Sequence, residues 1–71
     1  MSADMYLTGY TASGDDIELY VEQDASVSYV SITSADFGYI QFNFNPDFPD
    51  DAKKCFLAFC ELRSIEFEER S

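Results

Sequence analysis

The most constraining feature of the chain is an alternation of apolar and polar residues with a period of two, which runs through the first 45 positions. This period is typical of strands with one face in a core and one in water, because successive side chains of a strand point to opposite sides. It predicts strands at about residues 4–11, 16–22, 27–33 and 39–45. The residues predicted to face inward are, strand by strand, Met5, Leu7 and Gly9; Ile17, Leu19 and Val21; Ser28, Val30 and Ile32; and Ile40, Phe42 and Phe44. The connections are too short for parallel crossovers, so we expect an antiparallel meander.

A segment with helical spacing follows the strands. Pro49, Asp50 and Asp51 suit the first turn of a helix, and Asp47 is expected to cap it. The predicted helix covers about residues 48–63. Its apolar stripe, which should face the sheet, comprises Ala52, Cys55, Phe56, Phe59 and Leu62.

Residues 64–68 alternate again and form a candidate fifth strand. With 71 residues, the chain has the length of one domain. The predicted fold class is α+β: a four-stranded antiparallel meander, a candidate fifth C-terminal strand, and one helix packed on one face. The opposite face of the sheet is then open to water or to a partner.

All the tyrosines fall on the outward phase of the predicted strands: Tyr6, Tyr10, Tyr20, Tyr29 and Tyr39. The polar residues that share this outward phase are Glu18, Glu22, Gln41, Asn43 and Asn45. Tyrosine is enriched in protein interfaces because it offers a large, rigid contact area with a polar tip. It is also common in strands, where its hydroxyl tolerates water. The outward face is therefore either a contact surface or an ordinary solvated sheet face.

Charge is segregated along the chain. Residues 1–52 contain ten carboxylates and no Lys, Arg or His, whereas all four bases lie in the last nineteen positions with four more acids, giving a net charge of −10. Self-repulsion of this kind costs stability, so a field of one sign favours attraction to a basic partner. The alternative is that the acids only keep the chain soluble. The same charge disfavours direct contact with nucleic acid or with anionic lipid.

Residues that carry common catalytic chemistry are missing. The chain has no histidine, no phosphate-binding glycine loop and no calcium-binding loop, so we predict no enzyme activity, no cofactor and no metal site. Cys55 and Cys60 would lie roughly 8 Å apart on a helix, beyond the reach of a disulfide, and are expected to be free thiols. Free thiols, with no visible secretory signal or membrane span, indicate a cytoplasmic protein.

In its small size, acidity and base-free predicted sheet, the whole chain resembles the phage-encoded type I anti-CRISPR proteins, a group of acidic inhibitors that mimic DNA. Within that group the resemblance points to inhibitors of the type I-C Cascade complex. It implies a non-catalytic protein that binds a basic Cas subunit in the bacterial cytoplasm. Its mechanism would be competition with target DNA through anionic side chains.

The first hypothesis is therefore a nucleic-acid mimic. Its partner-binding carboxylates would pair with Lys and Arg: Asp15, Asp16, Glu18, Glu22, Asp24 and Asp36. Tyr20, Tyr29 and Tyr39 would supply contact area. The second hypothesis is a small acidic interaction or assembly module, antitoxin-like or homodimeric, that uses the tyrosine face or an uncovered strand edge. The isolated chain is expected to be a monomer or a weak dimer, and a stable dimer that buries the tyrosine face would favour the second hypothesis.

Overall fold

The computed structural model describes residues 3–70, which form a five-stranded antiparallel sheet with one helix. The elements follow the chain in the order β1 (Met5–Tyr10), β2 (Asp16–Glu22), β3 (Val27–Ser34), β4 (Gly38–Asn43), α1 (Pro49–Arg63) and β5 (Phe67–Glu69). The strands lie side by side in the order β4-β3-β2-β1-β5. The predicted α+β class and four-stranded meander are confirmed. The fifth strand is present, but it covers Phe67–Glu69 and not residues 64–68, and it pairs with β1 at the edge far from β4.

The predicted inward phase of the central strands is confirmed by their pairing and burial. Leu7 lies opposite Leu19, and Leu19 lies opposite Val30, so the three side chains form one row beneath α1. Ile17 and Ile32 form a parallel row and are also buried. The core therefore sits between α1 and the middle of the sheet.

The start of α1 differs from the prediction in one detail. Pro49, Asp50 and Asp51 lie in its first turn as expected, but Phe48 precedes the helix and no side chain caps it, so the predicted cap role of Asp47 is wrong. Asp47 instead donates its backbone N–H to Oδ1 of Asn45 at 2.9 Å. The turn before the helix is thus held by Asn45.

The buried stripe of α1 runs through Ala52, Phe56 and Cys60, with Cys55 and Phe59 partly buried beside it. The predicted position of Leu62 in this stripe is wrong, because Leu62 is 75% exposed. A helix turns about 100° per residue, so Leu62 lies roughly 200° from Cys60 and faces away from the sheet.

The chain reverses direction immediately after α1. Ser64 adopts a left-handed conformation with φ 55° and ψ 46°. The backbone N–H of Ile65 then bonds to the carbonyl of Cys60 at 2.8 Å. This reversal turns Ile65 into the core, where it is buried. Among the described residues, no helix has both the length and the apolar character needed to span a bilayer.

The core lies mainly under β2 and β3, over which α1 packs. Ile40 and Phe42 of β4 were predicted to face inward, yet they remain 38% and 37% exposed. Phe42 meets the helix at the ring of Phe59, with 5.8 Å between ring centroids. The contact agrees with the inward direction predicted for these side chains, but α1 does not extend over them.

The return from α1 to β5 depends on Gly9 in β1. A Cβ atom at Gly9 would meet the carbonyl oxygen of Glu66 at 2.7 Å and a methyl carbon of Ile65 at 2.8 Å. Real Cβ atoms essentially never make contacts this short, and the nearer atom belongs to the backbone, which cannot rotate away. The glycine therefore allows the C-terminal segment to close against the sheet.

We predict that Gly9→Ala lowers the free energy of unfolding by about 1–3 kcal/mol, because overpacking forces the backbone to shift. Urea unfolding followed by circular dichroism measures the change. Ser31→Ala, on the uncovered side of the same sheet, is the control and should change stability by less than about 0.5 kcal/mol. Equal stability of Gly9→Ala and the unmodified protein would contradict the close approach.

Candidate protein-binding face

The sheet face opposite α1, here called the open face, carries a row of tyrosines across three strands. The register sets Tyr6 of β1 beside Tyr20 of β2, and Tyr20 beside Tyr29 of β3. The first two rings meet edge to face at 5.4 Å between centroids, and the second pair stacks at 5.9 Å. The more exposed Tyr10 and Tyr39 lie on the same face, so the predicted outward phase of all five tyrosines is confirmed.

Three hydroxyls of this row donate hydrogen bonds to carboxylates on the same face. Glu18 accepts one bond at each oxygen, from Tyr29 at 2.7 Å and from Tyr6 at 3.1 Å. Glu22 accepts a bond from Tyr20 at 2.7 Å. The tyrosines therefore hold both carboxylates in defined orientations above the sheet.

These contacts raise the pKa of each donor tyrosine. For Tyr6 and Tyr20, the main cause of the raised pKa is the hydrogen bond to Glu18 or Glu22, since a phenolate could not donate it. For Tyr29, burial is the larger cause and the bond to Glu18 the second. The three hydroxyls consequently remain protonated donors at neutral pH.

Negative charge on the open face is concentrated on β2. Asp16 begins that strand opposite Tyr10, and it is exposed. Neither β3 nor β4 contains a charged residue. On β4, Tyr39 donates to Gln41 at 2.7 Å, and Gln41 donates to Asn43 at 2.9 Å. The open face thus divides into an acidic half around β2 and a neutral, amide-rich half.

A base lies at the margin of the acidic half. Arg70 donates to the hydroxyl of Thr8 at 3.0 Å and pairs with Glu68 at 3.4 Å. Both members of this pair are more than half exposed, so it contributes little to stability.

The position of Asp15 does not favour its predicted contact with a partner. Asp15 is only 5% exposed, and both its oxygens accept hydrogen bonds from the guanidinium of Arg63, at 3.0 and 3.3 Å. Asp36, also predicted to bind a partner, accepts a bond from Arg63 at 2.8 Å but stays exposed. Arg63 therefore neutralises charge that the first hypothesis assigned to the binding surface.

Arg63 joins the end of α1 to the first and third turns of the meander. Besides the two carboxylates, it bonds to the hydroxyl of Ser34 at 3.2 Å and lies 5.7 Å from the ring centre of Phe37. The guanidinium lowers the pKa of Asp15, and the hydrogen bonds that Arg63 donates to Asp15 and Asp36 raise the pKa of Arg63. The sequence held one signal of this role, because extending the apolar stripe of the helix would put Arg63 in the core.

The remaining predicted site residue, Asp24, lies in the turn between β2 and β3 at the opposite end of the sheet from Asp36. It is exposed. The neighbouring Gln23 holds this end together, because its backbone N–H bonds to Asp4 at 2.7 Å and its side chain to the carbonyl of Pro46 at 3.0 Å. Asp24 and Asp36 therefore flank the open face from opposite ends.

The two cysteines are free thiols, as predicted, and lie on the helix side of the molecule. Burial raises the pKa of Cys60 to about 11 and raises that of Cys55 less strongly. Within residues 3–70, no three His, Cys, Asp or Glu side chains are grouped so that they could hold a metal ion.

Comparison of the chain with protein-family models, with curated proteins and with solved structures found no match.

We predict that Asp15→Asn lowers the melting temperature at neutral pH and flattens its pH dependence in acid. The folded-state pKa of Asp15 lies below its ordinary value of 3.8, so the ion pair stabilises the fold above that pH and is lost as the pH falls through the folded pKa. The difference between the melting temperatures of the two proteins should therefore shrink as the pH falls below 3.8 and through the folded-state pKa of Asp15. Asp16→Asn, a neighbouring change in an exposed residue, is the control, and an identical loss in both variants would refute a special role for Asp15.

We also predict that Glu18→Gln lowers the pKa of Tyr6 and Tyr29, while Glu22→Gln lowers that of Tyr20. Because the folded state retains these phenolic protons above the ordinary pKa of 10.0, the unfolded chain releases them first, and stability should fall as the pH rises past that value. Residue-resolved carbon NMR of the tyrosine rings measures each titration. Unchanged titrations in both variants would show that the hydroxyl–carboxylate bonds do not form in solution.

Proposed function

We propose that this protein is a non-catalytic inhibitor that occupies the nucleic-acid-binding surface of a basic protein. The observation that carries the proposal is the row of carboxylates along β2, two of which are fixed by tyrosine hydroxyls. A flexible acidic tail would also attract a basic surface, but it would lose more conformational entropy on binding. Carboxylates that are already oriented avoid part of that cost.

The spacing along β2 supports mimicry of a phosphate backbone. Residues on the same side of a strand recur about every 6.8 Å, which is the axial length of roughly two nucleotides in one strand of duplex DNA. Asp16, Glu18 and Glu22 follow this spacing, with Tyr20 between the last two. Their row is about 20 Å long, which is enough to follow a groove lined by several cations.

The tyrosine row adds the contact area that charge alone cannot provide. Arginine pairs with a carboxylate through two parallel hydrogen bonds and also stacks on aromatic rings. A guanidinium of the partner that lies over Tyr20 would have Glu18 and Glu22 within reach on the same strand. Desolvated pairs of this kind determine the dissociation rate, while the net charge of −10 speeds the encounter.

The proposed partner is a Cas subunit of a Cascade complex, with the type I-C complex as the first target to test. This choice rests on the resemblance in size, acidity and layout described above. It sets the site of action in the bacterial cytoplasm, where target DNA and the inhibitor would compete for the same surface.

We predict that the protein prevents target DNA from binding to purified type I-C Cascade, and that Glu18→Lys with Glu22→Lys abolishes this effect. Two lost ion pairs should weaken inhibition at least about a hundredfold. An electrophoretic mobility-shift titration measures it. Inhibition by the unmodified protein should also weaken as salt rises, because opposite charges are screened.

The matched control is Asp51→Lys with Glu61→Lys, which makes the same change in net charge at exposed positions of α1. This variant should retain most of the inhibition. Equal losses in both double variants would mean that net charge acts without a defined face. Absence of any binding to Cascade would refute the proposed target.

A further inference from the structure

The two edges of the sheet are built differently. The β5 edge is three residues long, FEE, and its neighbour Arg70 pairs with Glu68. The β4 edge is six residues long, GYIQFN, with neither charge nor proline. Exposed strand edges are templates for pairing with another chain, and proteins usually block them with charge, proline or short length. One edge of this sheet is blocked in this way and the other is not.

The free backbone groups of β4 can be assigned from its pairing with β3. The N–H of Phe44 bonds to the carbonyl of Ser28 at 2.8 Å, so Phe44 directs its backbone groups toward β3. Alternate residues of an antiparallel strand do the same, which includes Phe42 and Ile40. The residues between them direct their N–H and C=O groups outward, away from the sheet: Tyr39, Gln41 and Asn43.

The outward N–H and C=O groups of one β4 strand can pair with the same groups of a second β4 strand. If two β4 strands meet antiparallel around a two-fold axis at Gln41, that residue faces Gln41 of the second copy, and Tyr39 faces Asn43. Each of these pairs is then of the hydrogen-bonded kind, which exchanges two backbone bonds. All outward N–H and C=O groups from Tyr39 to Asn43 are satisfied in this one register.

The same register also covers apolar side chains. Ile40 faces Phe42 of the second copy in the more closely spaced type of pair, on the side of the sheet that carries α1. These two side chains are partly exposed because α1 packs over β2 and β3. Pairing would extend the core across the axis, and aromatic–β-branched pairs of this type stabilise sheets.

Of the surfaces of this molecule, the β4 edge is the one at which electrostatic repulsion least opposes a second copy. Two chains of net charge −10 repel each other, and β4 itself carries no acid. Of the acids that flank β4 in sequence, Asp36 is paired with Arg63 and Asp47 lies four residues beyond the end of the strand. Five strand spacings would separate the β2 rows of the two copies, roughly 24 Å, against a screening length of about 8 Å at physiological salt. A basic partner, in contrast, would gain no charge pairing from an uncharged edge.

We propose that the β4 edge, residues 38–43, pairs with β4 of a second copy to form a two-fold dimer with a continuous ten-stranded sheet. Six residues per chain is far fewer than the roughly 20–30 of a standard interface, so the dimer is reversible and forms at high concentration. The open faces of both copies remain uncovered. The inference does not depend on the identity of any binding partner.

Sedimentation equilibrium over a range of protein concentrations tests the dimer. We expect a monomer at low concentration, a dimer at high concentration, and tighter association when salt rises from about 50 mM to about 500 mM, because repulsion is screened. Gln41→Pro should abolish the dimer, since it removes an outward N–H that β3 does not use. The matched control, Glu69→Pro, removes an outward N–H from the β5 edge and should leave dimerisation unchanged.

If Gln41→Pro unfolds by circular dichroism, Gln41→Lys replaces it, because two lysines would face each other across the axis. The register is tested with Gln41→Cys in a Cys55→Ala, Cys60→Ala background, which should form a disulfide-linked dimer on oxidation, since facing Cα atoms lie about 5.5 Å apart. Tyr39→Cys in the same background should not, because its counterpart is roughly 14 Å away along the strands. A monomer under all conditions, a dimer that salt weakens, or a dimer that persists in folded Gln41 variants would overturn the proposal.

Discussion

In the described part of the chain, one helix has to cover a sheet of five strands. The width of the helix therefore decides which side chains of the sheet are buried. A helix is about 10 Å across, whereas the outer strands of a five-stranded sheet lie roughly 19 Å apart. α1 packs over β2 and β3, where Leu19 and Val30 are fully buried, and leaves Ile40 and Phe42 at the margin. The open face and the β4 edge, the two surfaces for which we propose binding, are exposed because a single helix covers only part of the sheet.

The charge of the chain is compatible with this fold because the acids occupy strand ends, the helix surface and the open face. The buried carboxylate, Asp15, has a base beside it, and that base also holds Asp36. Arg63 therefore has a structural role that is separate from any partner: it fastens the end of α1 to two turns of the meander. Glu18 and Glu22 of β2 receive hydrogen bonds from tyrosines instead of salt bridges, so they keep their net charge while gaining a fixed orientation.

The two proposed contacts rely on different physical interactions. The acidic half of the open face would bind through charge, which salt weakens, whereas the β4 edge would bind through backbone hydrogen bonds and apolar contact, which screening of repulsion strengthens. The contacts are geometrically compatible, because edge pairing adds strands in the plane of the sheet and leaves its faces free. A dimer would present two acidic rows to a partner that is itself extended.

The alternation of residue types by itself determined the four strands of the meander and the face on which each of their residues lies, and the short connections determined that neighbouring strands are antiparallel. It predicted Leu7, Leu19 and Val30 inward and the tyrosines outward, because side-chain direction in a strand follows from local backbone geometry. Glu18 and Glu22 were correctly assigned to the open face for the same reason. Their bonds to the tyrosines were not predicted, because the bonds of Glu18 to Tyr6 and Tyr29 depend on the cross-strand register and the bond of Glu22 to Tyr20 depends on side-chain conformation within β2.

Only the tertiary structure decided which of these residues are covered and which acids are neutralised. Asp15 is in the sequence a turn residue among other acids, and it is buried because Arg63 reaches it from 48 positions further along the chain. Ile40 and Phe42 show the same inward pattern as Val30, yet they stay exposed because α1 docks elsewhere. Burial and pairing depend on where elements that are distant in the chain pack, and a local pattern of polarity carries no information about that packing.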